Sequence, residues 1–146
     1  MSYRSWFKAH GNKHKAIVSK LISKGYSKEQ IIEYFDFENM LIAEPEFCYL
    51  YSTSTKCHDV EKLNCYLCAC PLFRFNEKGV ASDSGVKSYS YCEVDSKLGE
   101  QGVYGDAIHQ DCTNCPVPHS SKYVSKNFDL NWFEVMKYCD LEEQDE

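Results

Sequence analysis

The sequence predicts an α+β fold with an N-terminal helical hairpin, a loop-rich cysteine core containing short strands, and a C-terminal helix. Three observations carry this. Apolar residues recur at helical spacing near the two ends, and the middle holds tyrosines, cysteines and polar loops with few sustained periodic runs. Eight of the nine cysteines fall between positions 48 and 115. At 146 residues the chain has the size of one domain, which removes roughly 70% of its unfolded surface from water, so it needs no staples merely because it is small. The expected parts are a hairpin over 1–46 packed on the core, a cysteine-rich core over 47–126, and a closing helix with an acidic tail over 127–146, all within one structural domain.

The first helix is expected from about Asn12 to Lys24, with Ile17, Val18, Leu21 and Ile22 inward and Lys13, Lys15, Lys20 and Lys24 outward. Gly25 suits the exit. Ser27 and Gln30 then have capping-box spacing for a second helix over Lys28 to Leu41, which offers Ile31, Ile32, Phe35 and Met40 for burial. His10 and His14, four apart, could chelate a metal if the first helix begins that early, but read rather as solvent-facing. Pro45 ends the helical region. Tyr49 to Tyr51 and Ser88 to Tyr91 read as short strands, because alternating aromatics suit a half-buried pleat. Asn76 to Gly85 and Gly99 to Asp106 read as loops, whose length calls for something at their bases to tie them down. The last helix begins near Asn131, with Trp132, Val135, Met136 and Cys139 on one face, which makes Cys139 a buried, inert thiol.

Net charge is −6, unevenly spread. Residues 1–28 carry seven Lys or Arg and no acid, 29–46 carry six acids and no base, and the last twenty carry seven acids against Lys137. The acidic second helix argues against reading the hairpin as a DNA-binding helix-turn-helix, since it would meet phosphates with the wrong sign. The middle, with eight bases and nine acids from 47 to 126, lacks the basic footprint of a nucleic-acid binder. The N-terminus has no apolar run fit for a signal peptide, and no segment approaches membrane-spanning length. The expectation is a cytoplasmic protein with no membrane partner, in a compartment where clustered thiols hold metal more often than they pair.

The thiols are patterned. Cys65-x2-Cys68 and Cys112-x2-Cys115 each have the spacing with which a tight turn aims two sulfurs at one ion. Cys48, Cys57, Cys70 and Cys92 complete a set of eight, suited to two four-ligand sites. His58 follows Cys57, and His119 lies four places after Cys115, so imidazole joins the set in the manner ordinary for zinc. Cys70-Pro71 and Cys115-Pro116 resemble instead the Cys-Pro ends of ferredoxin motifs. Zinc is favoured, with an iron–sulfur cluster as the alternative.

The ordered series Phe47-Cys48-Tyr49, Cys57-His58, Asn64-Cys65-x2-Cys68-x-Cys70-Pro71-Leu72-Phe73, Cys92, then Cys112-x2-Cys115-x2-Pro118-His119 resembles the bacterial and archaeal cysteine-rich small domain family. The resemblance spans about 47–123. It implies a zinc-finger-like metal-binding domain, found alone or attached to a cobalamin-biosynthesis decarboxylase, and nominates as metal ligands Cys48, Cys57, His58, Cys65, Cys68, Cys70, Cys92, Cys112, Cys115 and His119. It supplies no activity and no partition of ligands. Glu93 stands where the family has glycine, the loops around Cys92 are longer, and the N-terminal hairpin is an extension outside the matched region.

The functions these observations leave open are a non-catalytic metal-binding module acting through an unknown protein partner, an iron–sulfur electron carrier, and a metal-dependent enzyme. The last is the weakest. There is no His-Glu-x-x-His, phosphate-binding glycine loop or dinucleotide fingerprint, and Glu61, Glu93 and Asp111 near the ligands are acids with no fixed geometry.

Overall fold

Helix α1 spans Tyr3–Ser23, nine residues earlier than its apolar pattern suggested, and its buried face includes His10, His14, Ile17 and Leu21. The two histidines are not solvent-facing: His10 is 5% exposed and His14 fully buried. Their rings sit among others, His10 4.6 Å from Phe47 and His14 4.8 Å from Phe35 between centroids. A neutral imidazole packs there as an aromatic, which extends the apolar stripe towards the N-terminus. The structure is a computed structural model and describes residues 3–58, 60–68, 70–81, 85–93, 99–111 and 115–144. Gly11 lies where a Cβ would come within 2.3 Å of the Phe133 ring, so its missing side chain lets that ring rest against α1.

The expected capping box forms, Ser27 Oγ accepting from the Gln30 amide at 3.2 Å and Gln30 Oε1 from the Ser27 amide at 2.8 Å. The second helix does not run through to Leu41. It divides into α2 (Lys28–Tyr34) and α3 (Phe37–Ala43). Backbone groups at the break bond to the cysteine-bearing segment: the Phe37 amide donates to the Leu63 carbonyl and the Cys65 amide to the Phe35 carbonyl, both at 2.8 Å. An intact helix would have spent them internally.

The Tyr49 to Tyr51 stretch is not a strand but a 3-10 turn, Tyr49–Thr53, in which the Ser52 and Thr53 hydroxyls bond back to the Tyr49 and Leu50 carbonyls. A four-stranded mixed sheet follows: β1 (Phe73–Ala81), β2 (Lys87–Cys92), β3 (Glu100–Tyr104) and β4 (Ala107–Asp111), in the order β1-β2-β4-β3. β2 is the strand expected at 88–91; β1 and β3 replace expected loops. Central pairing is parallel, β2 to β4, with antiparallel partners outside. β3 and β4 form a tight hairpin, Tyr104 facing Ala107 across Gly105-Asp106, and Gly105 supplies a φ of +67°. The strand is exposed nearly throughout, so no apolar alternation marks it.

Helix α4 (Ser121–Lys126), which no expectation covered, is capped by Ser120, and α5 is a single turn, Trp132–Val135, capped by Asn131. Trp132, Met136 and Cys139 are buried as expected. Beyond them the chain returns to the sheet, the Phe75 amide donating to the Cys139 carbonyl at 2.8 Å. Arg4 closes the structure with two bonds to Asp140, at 2.7 and 3.0 Å. The fold is α+β, and no described helix is long and apolar enough to cross a membrane.

Candidate metal centre

The cysteine-bearing segments are held by backbone before any ion is considered. Cys65 and Cys68 lie on one tight turn, the Cys68 amide reaching the Cys65 carbonyl at 3.3 Å, and the Cys70 amide bonds the Leu67 carbonyl at 2.9 Å. Cys70 has a φ of +60°, in the left-handed region that a side chain makes costly by roughly 1–2 kcal/mol. Such a conformation persists where the surroundings fix it, and it is common at ligand clamps. Cys92 ends β2 opposite Phe73, and the adjoining Glu93 amide bonds the Leu72 carbonyl at 2.8 Å, which brings Cys92 beside the Cys70 turn.

Three of the ten nominated residues converge with all their ligand atoms within 4.8 Å of one another: Cys57, His58 and His119. Cys57 Sγ lies 3.8 Å from His119 Nε2 and 3.1 Å from His58 Nδ1. Nδ1 of His119 lies 2.8 Å from the Asn64 carbonyl, which can only accept, so that nitrogen carries the proton and Nε2 presents its lone pair to the thiol. This is the outer bond that orients a metal-binding histidine. Asn64 is itself fixed, its side-chain amide donating to the Ile32 carbonyl at 2.7 Å and to Asp36 at 2.9 Å, and its amide NH donating to the His119 carbonyl at 2.8 Å.

The remaining thiols fall into two neighbourhoods. Burial pushes Cys57 up to about 11 and Cys65 up to about 12; Cys48 adds to the first, and Cys57 and Cys48 to the second, against a bond from Tyr51 that favours the Cys65 thiolate. Burial likewise pushes Cys70 up to about 11, with Cys92 and Cys115 its thiol neighbours. His119 is lowered to about 4, chiefly by burial, and stands neutral and ready as a ligand. Tyr51 has a buried hydroxyl with no oxygen or nitrogen partner among the described residues, and its pKa is raised by burial and by Cys65, Cys48 and Cys68. A metal-bound Cys65 thiolate would accept the Tyr51 proton more strongly than the neutral thiol does.

Seven of the nominated residues, Cys57, His58, Cys68, Cys70, Cys92, Cys115 and His119, line one cleft of about 770 Å³. Cys48 and Cys65 do not line it, and Cys112 lies outside the described residues. No disulfide joins any two of the described cysteines. Cys139 also borders the cleft, but burial raises it to about 12 and its Sγ points to the Cys70 carbonyl at 3.6 Å, which fits the inert thiol expected.

No family model, curated protein or solved structure matches this chain. The site therefore rests on its own chemistry. Neutral imidazole nitrogen and thiol sulfur, with a positioned outer carbonyl and a buried hydroxyl beside Cys65, fit a borderline-soft cation such as zinc. Two contributors could not be nominated by spacing, Asn64 and Tyr51. The position of Asn64 directly before Cys65 is its only sequence signal.

Proposed function

We propose that this chain is a zinc-binding, cysteine-rich module of the kind its motif series resembles, with two four-ligand centres that order its loops and present a surface to a protein partner. The observation that carries the reading is the meeting of Cys57, His58 and His119 with Nε2 of His119 turned to the thiol. In the first centre these three join a thiolate drawn from Cys48, Cys65 and Cys68. In the second, Cys70, Cys92 and Cys115 supply three ligands, and the spacing of the sequence nominates Cys112, outside the described residues, as the fourth. Ions so bound would lend folding energy, about 10–16 kcal/mol each in small zinc domains, and leave the module non-catalytic.

An iron–sulfur reading is favoured by one observation. Cys68, Cys70, Cys92 and Cys115 line the same largely apolar cleft, and thiolates in such surroundings suit a cluster. Purification without oxygen, followed by elemental analysis and an absorption spectrum, separates the two. Two zinc ions per colourless chain support the proposal. A brown protein absorbing near 400 nm replaces it with an electron carrier, and a chain without either metal sinks both.

A further inference from the structure

The candidate ligands account for only part of the cleft wall. Half of the remainder is rings: Tyr3, Trp6 and Phe7 from α1, Phe73 and Phe75 from β1, and His109 from β4. They form a continuous surface, Tyr3 stacking on Phe75 at 5.5 Å and Phe7 meeting Phe75 at the same separation. Holding an ion requires no such surface. Its size falls within the range of small-molecule sites, which are mostly apolar with a few placed polar groups.

Charge narrows the occupant. Apart from any ion the thiols hold, no Lys, Arg, Asp or Glu among the described residues lines the cleft, so the described wall offers a charged molecule no side-chain counter-charge. The polar anchors away from the thiols are His109 and Gln110. Tyr3 Oη lies 2.6 Å from His109 Nδ1, and the imidazole stacks on Tyr89 at 5.2 Å with only 9° between planes. Held on two sides, the ring has Nε2 as the nitrogen to meet a ligand.

We infer that the cleft is a binding site for a neutral aromatic small molecule, its rings against the α1 and β1 aromatics and a hydroxyl or carbonyl at His109 or Gln110. The ring-lined end of the cleft adjoins the candidate ligands, so ions bound at the thiols would form one wall of the site, and binding rests on the rings rather than on which ion is held.

Calorimetric titration of the protein as purified tests this with 2-naphthol and with 2-naphthalenesulfonate, the same rings carrying a charge. The expected result is one naphthol per chain with a dissociation constant on the order of 100 µM, and sulfonate at least tenfold weaker. Trp6→Ala, at the exposed lip, removes one ring and weakens naphthol about tenfold. His109→Phe keeps a ring but removes the nitrogen, weakening naphthol severalfold while leaving naphthalene binding unchanged. Absence of saturable naphthol binding, equal affinity for the two probes, or indifference of both variants overturns the inference. Metal content measured on the same samples judges the other reading separately.

Discussion

Two buried histidines lie in the helical region and one in the cysteine region, and burial does not tell them apart. His10, His14 and His119 are each 5% exposed or less, and all three are lowered, chiefly by desolvation, to between about 3 and about 4. Around the first pair there are rings from Trp6, Phe35, Phe47 and Tyr66, and His10 Nε2 and His14 Nδ1 meet no partner among the described residues. Around His119 there are a thiol and a second imidazole. A lowered pKa thus reports removal from water; only the neighbouring donor atoms make a ligand. The same contrast separates the helical region, held by ring packing, from the cysteine region, held by short backbone bonds and ligand-bearing turns.

The widest separation of the two regions is expected on chelation. Loss of structural ions first loosens the turns they tie down, while ring packing around α1 persists. Hydrogen exchange should then show residues 57–68 and 115–119 losing protection while the middle of α1 retains it; uniform loss throughout breaks the distinction. Next in size, His119→Ala should lower affinity for one ion at least about 100-fold, whereas His14→Phe should leave two ions per chain in elemental analysis. An ion lost from His14→Phe would place that imidazole among the ligands after all.

Acid sharpens the comparison further. Both core imidazoles sit below their ordinary value of 6.5, so the unfolded chain takes up protons first, and their contribution is whole above pH 6.5 and lost as pH falls towards 4 for His10 and 3 for His14. Between pH 7 and 5 each costs about 2 kcal/mol of stability. Denaturant titrations of His14→Phe at the two pH values should show a drop smaller by about that amount; an unchanged drop refutes a neutral buried imidazole there. The smallest effect is expected at Cys139. Cys139→Ser buries a hydroxyl and should cost about 1–2 kcal/mol with metal stoichiometry unchanged, while Cys68→Ser should lower metal content; equal stoichiometry in the two would overturn the ligand assignment.

The capping box at Ser27 was legible in the sequence because it depends on neighbours within one turn, and the fold class and the burial of Trp132 and Cys139 because apolar spacing marks them, although α5 itself ends at Val135. The early start of α1 was not, since Phe7, His10 and His14 continue the stripe of Ile17 and Leu21 only when histidine is counted as an aromatic. Strand β3 was hidden because its residues are exposed, and β1 because Asn76, Glu77 and Lys78 follow Phe73 and Phe75 without apolar alternation. The split between α2 and α3 depends on bonds to Leu63 and Cys65, some thirty positions away. For the site, spacing nominated the thiols, but the meeting of Cys57 with His119 across 62 residues is a product of tertiary structure.

Asn64 joins the helical half to the sulfur half through every polar group it has: Ile32 and Asp36 on one side, both backbone bonds to His119 on the other, and Tyr66 within its own turn. Asn64 thus hangs the His119 segment and the break between α2 and α3 on one side chain and one peptide unit, so neither can be repacked without remaking the bonds of the other.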